Sequence, residues 1–117
     1  MIKVYVAGAI SAPSIEKGIE NIRKGIAAGA ELLNWGYSPY VPHLDYQYNL
    51  VQTVVHIDVE TYYKHDLEWL KNCDCMLVLP GWENSKGVNA EIEYAESLSM
   101  PIYFTKEDLI DIANTLH

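Results

Sequence analysis

The chain has 117 residues, of which 50% are hydrophobic and 21% charged, and its formal net charge is -8 with a pI near 4.8. This composition predicts one globular domain over residues 1–117, and its acidic surface argues against a nucleic-acid polymer as partner, although backbone amides can still bind a small anion. No apolar run is long enough to span a membrane and the N-terminus does not resemble a signal peptide, so we expect a cytoplasmic protein without membrane contact.

The first half of the chain predicts two strands and a long helix. "IKVYVAG" is a β-rich run ending in glycine, and the loop "GAISAPS" leads to a helix that Ser14 caps and that ends near Trp35. "YSPYVP" predicts a short second strand, and "HLDYQYNLVQTVVHI" fits a loop, a lid or a short helix. Spacings of three and four predict that one face of the first helix is buried, comprising Ile15, Ile19, Ile22, Ile26, Ala30 and Leu33.

The second half predicts two more strands and three more helices. A second helix should run from about Asp58 to Asn72, and the strand "CDCMLVLP" that follows should be buried on both faces. Cys73 and Cys75 are expected on one face of that strand, as core thiols rather than metal ligands or a disulfide. The loop "PGWENSKG" leads to a third helix from about Gly87, "PIYF" to a fourth strand and "KEDLIDIANTLH" to a last helix.

Alternating strands and helices predict an α/β fold with a parallel sheet of four or five strands and right-handed crossovers. Sheets of this kind bind ligands beyond the carboxyl ends of their strands. The loops expected there are "GAISAPS", "VPHLDYQYN" and "PGWENSKG". The four histidines lack metal-ligand spacing, and nothing in the sequence indicates a metal or redox cofactor.

Two carboxylates interrupt apolar helix faces. Asp66 falls within the stripe of the second helix that comprises Val59, Tyr62, Tyr63, Leu67, Trp69 and Leu70. Glu91 falls within the stripe of Val88, Ile92, Ala95 and Leu98, whereas Glu93 points away from it. A carboxylate on a buried face costs free energy unless it is paired, hydrogen-bonded or functional. As a functional site, the pair suits substitution at an electron-poor carbon. The pattern alone favours the interpretation without a function, in which Asp66 is a buried cap or hydrogen-bond acceptor and Glu91 a partly exposed helix residue.

Three segments, "YVAGAIS", "HDLEWLKNCDC" and "SKGVNAEIEYAESLSMPIY", resemble the nucleoside 2-deoxyribosyltransferase superfamily over residues 2–104. The similarity is greatest to its 2'-deoxynucleoside 5'-phosphate N-hydrolases and to short phage and bacterial members. The resemblance implies a flavodoxin-like fold, a Rossmann-like three-layer arrangement, and a homodimer or higher homo-oligomer. It implies Glu91 as nucleophile, Asp66 as its support and proton carrier, and Tyr5 as a neighbour of the nucleophile.

Candidate substrate contacts lie in the three loops. Ser85 matches a position where the hydrolases have a serine that contacts the 5'-phosphate, and where the transferases have an aspartate that contacts the sugar 5'-hydroxyl. Lys86 and the backbone amides up to Gly87 suit a phosphate at a helix start, or the loop serves only as a cap. The other candidates are Gly8, Ser11, Trp82 and three aromatic residues that either stack on a base or pack inward, namely His43, Tyr46 and Tyr48.

Three functions are compatible with these residues. The leading hypothesis is cleavage of the N-glycosidic bond of a (deoxy)nucleoside 5'-monophosphate or nucleoside, by hydrolysis rather than by base exchange. The second is a nucleotide sensor or sponge that uses the same pocket, because "GAISAPS" lacks the arginine of the hydrolases' "GSIRGGR". The third is an interaction domain of the same fold that binds no ligand.

Overall fold

The computed structural model describes residues 1–51 and 54–116, and it has strands and helices at each predicted place. The segment predicted as a loop, a lid or a short helix contains a 3₁₀ helix. Its residues 52 and 53, and residue 117 of the predicted last helix, lie outside the described residues. The elements are β1 (Lys3–Ala7), α1 (Ile15–Asn34), β2 (Ser38–Tyr40), the 3₁₀ helix (Pro42–Val51), α2 (Val59–Leu70), β3 (Cys75–Val78), α3 (Lys86–Ser97), β4 (Ile102–Tyr103) and α4 (Lys106–Leu116).

The four described strands form one parallel sheet in the order β2-β1-β3-β4, which confirms the predicted fold class. After β1 the chain forms β2 on one side of β1, and it then crosses over to form β3 on the other side. Strand order therefore reverses between β1 and β3, where flavodoxin-like sheets have a crevice at their carboxyl edge. The central strands β1 and β3 pair from Val4 with Cys75 to Ala7 with Val78, so both strands end at the crevice.

Alternate side chains of β1 and β3 enter two separate cores. Val4 and Val6 pack with buried residues of α1 and α4 on one face of the sheet. Tyr5 and Ala7 pack on the other face with residues of α2 and α3. The period of two along a strand thus directs the Tyr5 side chain towards α3, the helix that carries Glu91.

The apolar stripe predicted as the buried face of α1 faces outward instead. Ile15 is 80% exposed and Leu33 is 61% exposed. The residues that pack inward are smaller on average, namely Gly25, Ala28, Gly29 and Leu32. Glycine allows the helix backbone to approach its neighbours closely, so packing distance rather than hydrophobicity orients α1. An exposed apolar stripe is compatible with the homo-oligomer that the resemblance implies, which stays a prediction.

Cys73 does not share a face with Cys75. Cys75 lies in the core beside Leu77 and Leu79, as predicted. Cys73 precedes the strand, packs against the opposite core and donates its thiol to the carbonyl oxygen of Trp69 at 3.4 Å. The prediction was wrong because β3 begins at Cys75, so strand alternation does not reach back to Cys73. Both cysteines are free thiols.

The predicted stripe of α2 is only partly buried. Leu70 is fully buried and Leu67 is half-buried, but Val59 is 84% and Trp69 52% exposed. Asp66 is half-buried on the inward side. None of the helices within the described ranges is both long enough and apolar enough to cross a bilayer.

Candidate active site

A cleft of about 1460 Å³ opens at the carboxyl edge of the sheet. Its walls come from the loop after β1, the residues after β2, α2, the loop after β3 and the start of α3. Both singled-out carboxylates, Asp66 and Glu91, line it. The cleft therefore lies where doubly wound sheets bind ligands, and it is large enough for a nucleotide-sized molecule.

Glu91 is held by a phenol from the centre of the sheet. The hydroxyl of Tyr5, whose side chain is fully buried, donates a hydrogen bond to Glu91 Oε2. Burial raises the pKa of Glu91 to about 7, and the hydrogen bond from Tyr5 opposes this rise. Burial and the Glu91 charge also raise the pKa of Tyr5, which keeps the phenol protonated as a donor. Glu91 is thus a carboxylate that becomes ionised near neutral pH.

Asp66 is also biased towards its protonated form. Tyr40 donates its hydroxyl to Asp66 Oδ1 at 3.0 Å. Burial raises the pKa of Asp66 well above its usual range and the neighbouring Asp45 raises it further, while the bond from Tyr40 lowers it. Burial thus raises the pKa of both carboxyl groups, and a pair of perturbed carboxyl groups in one cleft is typical of a nucleophile or base beside an acid.

Two stacked tyrosines connect these carboxyl groups to the sheet. Tyr5 and Tyr40 are register partners on adjacent parallel strands, and their rings stack at 5.6 Å between centroids. Trp69 also stacks on Tyr40, at 5.7 Å between centroids. Tyr40 was missed in the sequence because its role depends on strand register, which the three-residue strand "SPY" does not reveal.

The loop before α3 is fixed by hydrogen bonds to its backbone. Ser85 caps the helix by accepting a hydrogen bond from the backbone nitrogen of Val88 at 3.2 Å. The Asn89 side-chain amide donates to the carbonyl oxygens of three loop residues, the closest being Ser85 at 2.8 Å. Ser85, Lys86 and Gly87 line the cleft. The capping role is confirmed, the phosphate contact stays a prediction, and the bracing by Asn89 was not predicted.

Of the other predicted contacts, Gly8 and Ser11 line the cleft. A β-carbon at Gly8 would lie 2.8 Å from Leu79 Cδ1, so the loop after β1 passes closely over the end of β3. Tyr46 also lines the cleft and is 55% exposed, which leaves its ring free for stacking.

Two other predicted substrate contacts are less open to the cleft, and both stay predictions. His43 borders the cleft but is only 1% exposed, because its ring packs against glycines of α1 and of the loop after β1. Trp82 packs against Phe104 with 5.4 Å between ring centroids, and it is not among the described residues that line the cleft. The turn at Gly81, whose φ is 88°, redirects the chain just before it.

One group of described residues offers three ligand atoms for a cation, although the sequence predicted no metal site. A carboxylate oxygen of Asp45, a nitrogen of His65 and a carboxylate oxygen of Asp66 all lie within 4.8 Å of one another. The same proximity of two carboxylates is also compatible with a proton shared between them.

The sheet order and the cleft at its switch point define a flavodoxin-like α/β protein with paired carboxyl groups. The family described as "Domain of unknown function (DUF4406)" matches residues 2–104, and the chain belongs to this family. No curated protein matches the chain significantly.

The solved structures that are similar to this one include two 2-deoxyribosyltransferases. A 2-deoxyribosyltransferase from Bacillus psychrosaccharolyticus, described as a biocatalyst for nucleoside synthesis, superposes with a TM-score of 0.57 at 20% identity, covering 86% of this chain and 69% of that one. A 2-deoxyribosyltransferase from Leishmania mexicana superposes with a TM-score of 0.58 at 14% identity, covering 87% of this chain and 62% of that one. The chain therefore has their fold and spans about two thirds of their length.

Proposed function

We propose that this protein cleaves the N-glycosidic bond of a nucleoside or nucleoside 5'-monophosphate, by hydrolysis rather than by transfer to a second base. The observation that carries the proposal is that Glu91 and Asp66 line the same cleft. The pKa of Glu91 is raised to about 7, and that of Asp66 is raised well above its usual range. The fold shared with two 2-deoxyribosyltransferases supports the same class of chemistry.

In the first step, ionised Glu91 attacks C1' of the sugar and forms an ester bond with it. The bond from C1' to the base nitrogen breaks, and its electron pair stays with the base. Asp66 gives its proton to the departing base, which leaves as a neutral molecule. Tyr5 is fully buried and reaches this site only through Glu91, so it positions the nucleophile and does not touch the substrate.

In the second step, water attacks C1' of the glycosyl-enzyme. Asp66, now ionised, takes a proton from the water, and the bond from C1' to Glu91 breaks to release the sugar and restore the carboxylate. Two displacements at one carbon retain its configuration. In a transferase, a second base would replace the water.

A 5'-phosphate would bind at the start of α3. Ser85, Lys86 and Gly87 line the cleft there, where backbone amides and the helix dipole favour an anion. This local field would oppose the repulsion expected from a chain of formal net charge -8.

The proposal is tested by incubating the protein with each nucleoside and nucleoside 5'-monophosphate and measuring free base by chromatography. We expect base release from at least one of them, without a second base in the mixture. Tight nucleotide binding by calorimetry without any base release would instead support the sensor or sponge. Release that requires a second base would identify a transferase.

Tyr5→Phe is expected to move the acidic side of the pH–rate profile upward by about one to two pH units. The lost hydrogen bond to a charged group contributes about 1.5–3 kcal/mol, and one pKa unit corresponds to about 1.36 kcal/mol. Because the bond from Tyr5 lowers the pKa of Glu91, its loss raises that pKa above about 7 and leaves less ionised nucleophile at neutral pH. Profiles of kcat/KM between pH 5 and 9 measure the shift. Tyr46→Phe, at an exposed tyrosine of the same cleft, should leave the profile unchanged.

A further inference from the structure

We propose that Asp45 and Asp66 share one proton, and that Asp45 and Tyr40 together position Asp66 as the acid of this site. The assignment of Asp66 as an acid rests on the proposed function, whereas the sharing of the proton is a property of the folded chain alone. Asp45 and Tyr40 are positioning residues, since each acts through Asp66.

The two carboxyl groups are brought together by separate elements. Asp45 lies in the 3₁₀ helix after β2, and Asp66 lies on α2. Oxygens of the two lie within 4.8 Å of each other, and Asp45 Oδ2 is buried without a hydrogen-bond partner among the described residues. Two ionised carboxylates at this distance repel each other, whereas one shared proton supplies the missing donor and removes one charge.

Tyr40 determines which oxygen of Asp66 is free for that proton. Its hydroxyl donates to Oδ1 of Asp66 at 3.0 Å, and its ring stacks with those of Tyr5 and Trp69. This donor leaves Oδ2 of Asp66 free to carry the proton. The titratable groups near Asp66 come from five elements and comprise Tyr5, Tyr40, Asp45, His65 and Glu91.

Opposing effects act on the pKa of Asp66. Burial raises it, and the hydrogen bond and charge of Asp45 raise it further. The hydrogen bond from Tyr40 lowers it, because that bond is strongest when Asp66 is ionised. Asp45 therefore favours the protonated form of Asp66 and Tyr40 favours the ionised form.

The shared proton suits both steps of the proposed reaction. In the first step Asp66 releases the proton to the departing base, which leaves two neighbouring carboxylates ionised. Their repulsion makes Asp66 a stronger base for the water that attacks C1' in the second step. When that water gives up its proton, the carboxyl pair returns to its starting state with one proton and one negative charge.

A bound cation is the competing explanation, with His65 as a third ligand. The proton is favoured because His65 is exposed to solvent and one oxygen of Asp66 already accepts a hydrogen bond from Tyr40.

The decisive measurement is a pH titration of the Asp66 carboxyl carbon by NMR in protein labelled with ¹³C-aspartate. Asp45→Asn is expected to lower its titration midpoint by at least about one pH unit, because a neighbouring like charge is removed. Tyr40→Phe keeps the aromatic ring but removes the donor, and it should raise the midpoint. Asp111→Asn, at an exposed position on α4, should leave the midpoint unchanged. A general loss of packing would not move two variants in opposite directions.

An unchanged midpoint in Asp45→Asn, or a shift of both variants in the same direction, would overturn the shared proton. So would a displacement of the wild-type midpoint by Mg²⁺, Mn²⁺ or Zn²⁺ alone that Asp45→Asn abolishes, since this would show a cation site. These readouts need no turnover, so the titration still tests the inference if no substrate releases base. With an active substrate, the alkaline side of the kcat/KM profile should move down in Asp45→Asn and up in Tyr40→Phe.

Discussion

Glu91→Gln is expected to lower kcat for base release by on the order of 10⁴-fold or more, the scale reached when one member of a catalytic unit is removed. An amide cannot ionise and is a poor nucleophile, so no glycosyl ester forms. The hydroxyl of Tyr5 can still donate to the amide oxygen of glutamine, which should preserve the fold. Single-turnover chromatography with enzyme in excess over nucleotide measures the loss.

Glu93→Gln is the matched control. Glu93 lies two residues further along α3 and is exposed, so the same chemical change there should leave kcat within about twofold of wild type, as expected for a surface substitution. Calorimetry should show that Glu91→Gln still binds the nucleotide. Base release by Glu91→Gln at a rate close to that of Glu93→Gln would eliminate Glu91 as the nucleophile.

The raised pKa values of Glu91 and Asp66 also lower the free energy of unfolding as pH rises above the acidic range. Folding raises the pKa of Glu91 from 4.5 to about 7, so between these values the folded state binds more protons than the unfolded state. The free energy of unfolding then decreases as pH rises through this interval, and the raised pKa of Asp66 adds to the decrease. Such a cost is common where a site needs carboxyl groups that are hard to ionise.

The sequence singled out Glu91 and Asp66 because a charged residue within an apolar helical stripe needs no tertiary information to be noticed. Tyr40 and Asp45 could not be found in this way. Tyr40 gains its role from register with Tyr5 on a neighbouring strand, and Asp45 from a 3₁₀ segment whose path the sequence left open. Both depend on contacts between residues far apart in the chain.

The predicted orientation of α1 was wrong for a different physical reason. A hydrophobic pattern gives large apolar residues most of the weight, so Ile15 and Leu33 dominated the predicted face. In the fold, α1 instead approaches β2 and the 3₁₀ helix through Gly25 and Gly29. Glycine contributes little to a hydrophobic pattern, although it permits the closest packing of two backbones. His43, buried behind that helix, is the partner that requires this close approach.

Gly25→Ala is therefore expected to destabilise the protein by about 1–3 kcal/mol, the usual cost of overpacking a core. A β-carbon at Gly25 would overlap Cγ of the buried His43 ring, so the helix or the ring must move. Alanine normally stabilises a helix interior relative to glycine by about 1 kcal/mol, so packing must reverse the sign of the effect. Urea denaturation followed by circular dichroism measures the free energy of unfolding.

Gly18→Ala in the same helix supplies the control with the opposite sign. The nearest atom to its added β-carbon is the carbonyl oxygen of Ile10 at 4.0 Å, an ordinary contact, so the variant should be more stable than wild type by up to about 1 kcal/mol. Combining Gly25→Ala with His43→Ala removes the clash, and the double variant should lose less stability than the sum of the two single changes. Equal stabilisation by both glycine substitutions would contradict the packing of His43 against α1, because only that contact makes the two sites different.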